Sequence, residues 1–351
     1  MNVIELLLLV LAFLVILSGA ELFTNGIEWF GRKLELAEGA VGSVLAAVGT
    51  ALPETMIPIV AILFSGGHGS EVGIGAILGA PFMLSTLAMF VTGAAVLAVA
   101  RRRPAGDVMP IDPQVLAKDM RTFAIAYAIA VGTAFLPAAL GPLKPVVGLG
   151  LLGIYVFYVK GHFEADPSGE GEELAPLRLH RLDRRARRRD PAVPRLRVVN
   201  VQVILAIALI IGGAVLFVDA VESLGRELGV DETLLALVVA PIATELPEKF
   251  NSVIWIRQGK DTLALGNITG AMVFQSTIPT VVALVLAGAT WTVTTDSALA
   301  FASAGIAFLS SAVIFIPMAR SGVLRGRRLL VGGVFYLGYL ALVLAELGGL
   351  L

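Results

Sequence analysis

The chain is a succession of long apolar runs separated by short polar breaks. A helix needs roughly 20 apolar residues to cross the hydrocarbon core of a bilayer. Ten segments approach or exceed that length, near residues 2–23, 40–65, 72–100, 120–137, 143–160, 199–221, 233–256, 262–289, 295–318 and 329–349. The pattern predicts an all-α polytopic membrane protein of about ten transmembrane helices. The first run, "MNVIELLLLVLAFLVILSGAELF", lacks a basic leading stretch and continues into patterned sequence, so it reads as a spanning helix rather than a cleaved signal peptide.

One polar stretch breaks the series. Residues 161–198 contain "FEADPSGEGEELAPLRLHRLDRRARRRDPAVPRLR", rich in Arg, Pro and Gly, and predict a solvated linker between a five-helix unit over 1–160 and another over 199–351. The two units are related. Residues 19–54, "GAELFTNGIEWFGRKLELAEGAVGSVLAAVGTALPE", match residues 213–248, "GAVLFVDAVESLGRELGVDETLLALVVAPIATELPE", at about 15 of 36 positions without a gap. The likeness resumes as "GAILGAPFMLST" (75–86) against "GNITGAMVFQST" (266–277). Five helices is an odd number, so the second copy enters the membrane from the opposite side. Inverted repeats with interrupted helices meeting near the bilayer midplane are a transporter architecture.

Composition and charge sharpen this picture. The 351 residues are 57% hydrophobic and 15% charged, with a mean hydropathy of +0.88, far from a soluble domain. No cysteine is present, which excludes disulfides and thiolate metal sites, and His68, His162 and His180 are scattered through loop-like sequence. Lys and Arg concentrate in alternate loops and in the linker, which predicts a cytoplasmic linker and termini on the other face. The Arg run reads as this orientation signal rather than a nucleic-acid site; membrane lipid is the expected neighbour. Oligomeric state is not legible. The compact length and short linker suggest a prokaryotic inner membrane.

Ionisable residues inside apolar segments are the candidate chemistry, because at membrane depth they mark substrate and ion paths. Each repeat sets a Thr and a Glu four residues apart around a proline: Thr50, Pro53 and Glu54, then Thr244, Pro247 and Glu248. That spacing puts hydroxyl and carboxylate on one helical face. Proline removes an amide donor and breaks the helix, leaving nearby carbonyls in need of partners. Carboxylate, hydroxyl and carbonyl oxygens make a hard site suited to calcium or sodium, not zinc or copper. Around Pro247 two further ionisable groups, Glu245 and Lys249, stand four apart in the favourable order for a helical ion pair. Ser85, Thr86, Ser276 and Thr277 recur at symmetric positions and read as helix-packing hydroxyls. Asn25 and Asp219 correspond across the repeat and are expected near opposite surfaces.

"GTALPET" and "ATELPEKFNS", each followed by a Gly-rich helix such as "ALGNITGAMVFQ", resemble the two alpha-repeats of the cation/calcium antiporter superfamily, in particular its sodium/calcium exchanger branch. The resemblance covers most of both halves. It implies that Glu54 and Glu248 are the central calcium-binding glutamates and that Thr50 and Thr244 are ligands beside them. Departures accompany the matches. The family serines next to the threonines are Ala51 and Glu245, those of the Gly-rich segments are Ala80 and Ala271, and the later Asn or Asp ligands fall on Leu84 and Gln275. Asn267 keeps the family asparagine, while its counterpart is Ala76. The central calcium position is thus kept better than the flanking sodium positions.

Three roles stand open for Lys249: a tethered cation where a relative would bind sodium, a side chain that snorkels outward while Glu245 replaces the acid missing at 275, or a partner for lipid phosphate. The expected function is secondary-active antiport, exporting calcium against sodium by alternating access around Glu54 and Glu248. Calcium/proton antiport and a non-transporting cation sensor on the same fold are the alternatives. A buried carboxyl group readily trades a metal for a proton, which keeps proton coupling in view. No nucleotide-binding loop, nucleophile–base pair or HExxH motif is present, so no cofactor and no enzymatic activity are expected.

Overall fold

The computed structural model describes residues 3–33, 52–64, 66–163, 175–180, 194–229, 234–239, 245–295 and 297–347. The first half holds α1 (Val3–Lys33), α2 (Leu52–Phe64), α3 (Gly66–Met83), α4 (Met89–Val99), α5 (Pro113–Gly132) and α6 (Lys144–Phe163). The second holds α7 (Leu196–Leu228), α8 (Leu246–Arg257), α9 (Asp261–Leu286), α10 (Ala298–Ser321), the single turn α11 (Gly326–Leu329) and α12 (Val331–Leu347). A π-helical turn, Leu84–Ala88, joins α3 to α4, so the two run on as one long rod. A two-residue antiparallel ladder pairs Val108 with Arg325 and Met109 with Leu324.

Among the described residues, seven helices are long and apolar enough to cross a membrane. The three other expected spans differ for physical reasons. Within the span expected over 40–65 the described helix, α2, is 13 residues long, and within that expected over 233–256 the described residues are a short helical stretch at 234–239 and α8. In both, the described helix starts one residue before a proline, Pro53 and Pro247, a position where the missing amide costs no helical hydrogen bond. The helix expected from 120 begins at Pro113, because Asp112 caps it by accepting from the amides of Gln114 and Val115, and its first three turns carry Lys118, Asp119 and Arg121. His68 and His162 lie in α3 and α6, not in loops.

The repeat is visible in the packing. α1 lies along α7, and glycines permit the approach: a Cβ on Gly19 would stand 2.8 Å from Ile210 Cγ1 and 3.1 Å from the Ala206 carbonyl oxygen. A Cβ on Gly213 would stand 2.7 Å from Ile16 Cγ1 and 3.2 Å from the Ala12 carbonyl oxygen. Gly19 and Gly213, Ile16 and Ile210, and Ala12 and Ala206 are repeat counterparts, and early α1 meets late α7. The crossing is therefore antiparallel and nearly two-fold, as inversion requires.

The halves also interlock. α9 packs on α5 and α6 of the first half, while α3, the π turn and α4 pack on α10 and α12 of the second. At one end Lys144, at the start of α6, donates to the carbonyls of Gly288 and Trp291 at 2.8 Å each, and the Trp291 indole donates to the Ala130 carbonyl. At the other end Arg325 pairs with Asp107 at 2.9 Å beside the small ladder, and Arg103 pairs with Asp261 at the start of α9. Each central rod is fastened to a helix pair of the opposite half, so a displacement of one half against the other must carry these fastenings with it.

Asn25, expected near a membrane surface, is held under part of the linker. It is buried, and its side chain donates to the carbonyls of Ala175 and Pro176 while accepting from the Arg178 amide. Trp29 donates to the Ala175 carbonyl at 2.9 Å, and Gln202 accepts from the Leu179 amide at 2.8 Å. Part of the linker, 175–180, is thus held across α1 and α7 with Leu177 buried.

Candidate functional site

The two Pro-started half-helices place the candidate residues. Glu54 sits in the first turn of α2 and is 5% exposed. The free amides and dipole of a helix N-terminus favour a carboxylate there. Its repeat counterpart Glu248 lies in the first turn of α8. Thr50 and Thr244 lie outside the described residues, as do the side chains of Glu248, Pro53 and Pro247.

Glu245 precedes α8 as its N-cap, with φ −89° and ψ 2°, and is 1% exposed. Lys249 is 6% exposed, and its Nζ lies 3.0 Å from Glu245 Oε2. The Lys249 amide also donates to the Glu245 carbonyl at 3.2 Å, so backbone and side chain close the same turn. Lys249 therefore points inward. A buried pair of this kind costs desolvation and persists only with good geometry.

α9 lies beside both half-helices. It contributes Gln275, which is 2% exposed, and its Ala264 carbonyl accepts from Ser252 of α8 at 3.0 Å. The symmetric hydroxyls bond back along their own helices: Ser85 and Thr86 to the Phe82 carbonyl, Ser276 and Thr277 to that of Val273. They are satisfied within their helices, in keeping with the packing role. Among the described residues, no three His, Cys, Asp or Glu side chains converge on one point.

One acidic residue escaped the sequence reading. Asp119 of α5 is 1% exposed and accepts from the Tyr158 hydroxyl at 2.9 Å and from the Thr269 hydroxyl at 2.6 Å. Its signal was positional. Asp119, Phe123, Ala126 and Ala130 follow helical spacing and are all buried, whereas the charged neighbours Lys118 and Arg121 hid the carboxylate within a polar-looking stretch.

An inverted pair of five-helix repeats, with acidic residues buried at the starts of α2 and α8, defines a polytopic membrane transporter of the exchanger type. The sequence pattern of the sodium/calcium exchanger protein family matches residues 4–161 and 199–347, and the chain belongs to that family of cation antiporters. It is an integral membrane protein of a transporter family, not of an enzyme family. CaxA of Alkalimonas amylolytica, a protein provisionally named as an antiporter, is 36% identical over 75 residues, a stretch covering 21% of this chain and 24% of that relative. The fold is shared with the crystal structure of the H+/Ca2+ exchanger CAX, at a TM-score of 0.67 and 16% identity over 96% of this chain and 82% of that one. It is also shared with the sodium-calcium exchanger NCX_Mj soaked with Na+ and Sr2+, at a TM-score of 0.56 and 16% identity over 97% and 99% of the two chains.

Proposed function

We propose that this chain exports calcium by secondary-active antiport, with sodium or protons as the counter-ion, through alternating access around Glu54 and Glu248. The observation that carries the reading is the burial of Glu54 in the first turn of α2, with Glu248 at the counterpart position in the first turn of α8. Glu245 and Lys249 cancel one another at 3.0 Å. Glu54 and Glu248 then leave two negative charges for one divalent cation, with oxygens of Thr50, Thr244 and Gln275 completing a hard-oxygen shell.

In this account Pro53 and Pro247 break the helices, and Lys249 is a tethered cation standing where a relative would hold sodium. That occupancy favours the proton over sodium as counter-ion, because fewer oxygen ligands are left for a monovalent metal. The chain is read as one repeat over 1–160, a cytoplasmic linker over 161–198 and a second repeat over 199–351, in a prokaryotic inner membrane with both termini on the far side.

Radioactive calcium uptake into proteoliposomes tests the reading, with an outward sodium gradient compared against an outward proton gradient. Uptake driven by the proton gradient and abolished by Glu54→Gln is expected. Uptake that responds to sodium alone would remove the tethered-cation role of Lys249, and calcium binding without flux would leave the sensor reading in place of antiport.

A further inference from the structure

A second buried acid stands apart from these half-helices. Asp119 joins three helices: its own α5, α6 through Tyr158, and the central α9 through Thr269. Thr269 lies six residues before Gln275 on α9, about 9 Å along the axis at 1.5 Å per residue. Carboxylates within membrane segments mark substrate paths and proton relays.

The geometry accommodates the carboxyl in both charge states. With Asp119 ionised, the Tyr158 hydroxyl donates to Oδ1 and the Thr269 hydroxyl donates to Oδ2, at the 2.6 Å usual for a hydroxyl on a carboxylate. With a proton on Oδ2, that O–H donates to Thr269 Oγ1. The Thr269 hydrogen then turns to the Leu265 carbonyl, already 3.1 Å away. A hydroxyl has one hydrogen and two lone pairs, so it serves either arrangement. These hydroxyl bonds serve both states without displacing the heavy atoms of Asp119, Tyr158 or Thr269. The balance is simple: carboxylate plus a proton drawn from water gives the acid, and release returns the proton to water.

Among the described residues, Asp119 is the acid of this node. On its own helix Lys118 lies over the Tyr158 ring, 5.8 Å from its centre, and Arg121 is exposed. From α6 come Tyr158, Tyr155 beside it at 6.2 Å between ring centres, and exposed Lys160. α9 carries a single ionisable residue, Asp261, which is bound to Arg103, and α10 carries only Arg320, exposed at its end.

We propose that Asp119 is a proton-carrying residue of the transport cycle, separate from Glu54 and Glu248, and that Thr269 reports its charge to α9. The proposal rests on the antiport reading for its role in flux, and on geometry alone for the proton site.

Two readouts separate the possibilities. In the first, infrared difference spectra of the purified full-length protein are taken between alkaline and acid buffer. A protonated-carboxyl band is expected in wild type, lost in Asp119→Asn and displaced in Thr269→Val and Tyr158→Phe, which remove its donors. In the second, calcium uptake is measured against pH. A rate governed by one proton changes about tenfold per pH unit on its steep limb. Asp119→Asn, which holds the neutral state, is expected to flatten that dependence to within about twofold. A purely structural node would lower the rate equally at every pH and leave the profile's shape, which would overturn the proposal, as would an unchanged band in Asp119→Asn. If Asp119→Asn fails to assemble, displacement of the band and of the uptake midpoint in Thr269→Val carries the same test. A band that behaves as expected in a protein that moves no calcium retains the proton site and overturns the antiport reading instead.

Discussion

Replacing Lys249 by alanine is the most informative single perturbation. The Nζ stands 3.0 Å from Glu245 Oε2, with both side chains more than nine-tenths buried. At an effective dielectric constant of about 20, charges at that separation attract by about 5 kcal/mol. Removing one partner of a buried pair typically costs 3–5 kcal/mol, because the other charge has lost its compensation. Lys249→Ala should therefore lower the apparent unfolding midpoint in sodium-free detergent by on the order of 10 °C. If Lys249 occupies a position suited to sodium, adding sodium should restore part of the loss. A free cation at a hundred times its dissociation constant supplies about 2.7 kcal/mol. Wild type should show no such sodium response. The double variant Glu245→Gln, Lys249→Ala should lie closer to wild type than either single change, since both charges leave together. The assay is tryptophan fluorescence against temperature over a sodium series. A Lys249→Ala protein as stable as wild type, or one destabilised but indifferent to sodium, refutes the tethered cation.

Other positions give sharper tests of the packing. A side chain at Gly213 must displace Ile16 or the Ala12 carbonyl, so Gly213→Val should cost about 1–3 kcal/mol, whereas Gly212→Ala, with open space around it, should stabilise its helix by about 0.5–1 kcal/mol. Paired thermal unfolding of the two variants checks this contrast. Asn25→Leu removes the bonds to Ala175, Pro176 and Arg178, and should speed tryptic cleavage after Arg178 several-fold without altering calcium uptake at saturation. A Cβ at Gly332 would stand 2.3 Å from the Thr86 carbonyl oxygen, so Gly332→Ala should displace α12 from the π turn and markedly lower the yield of folded protein in size-exclusion chromatography.

The architecture was legible because bilayer geometry leaves few choices: apolar length gives spans, and matching residues in matching order give the repeat. The reciprocal contacts of Gly19 and Gly213 lay outside that reading, since the repeat does not say which helices cross. The orientation of Lys249 did not follow, because i,i+4 spacing permits both an inward pair and an outward reach; the fold around α8 decides it. Asp119 was hidden by its charged neighbours, and its partners Tyr158 and Thr269 lie 39 and 150 residues away. The interlocking of α9 with α5 and α6 is likewise a long-range property that no local pattern encodes. The burial of Asn25 has the same origin, since the linker segment that covers it is brought back by the fold and not by the sequence beside it.

The central claim is that the paired carboxylates of the two repeats bind and move a single divalent cation. Calcium–calcium counterflow measures this most directly, because it needs no counter-ion. Proteoliposomes loaded with unlabelled calcium should take up labelled calcium, and Glu54→Gln and Glu248→Gln should each lower the rate by at least about a hundredfold, equivalent to about 2.7 kcal/mol. Counterflow that survives either substitution at near wild-type rate would contradict the account.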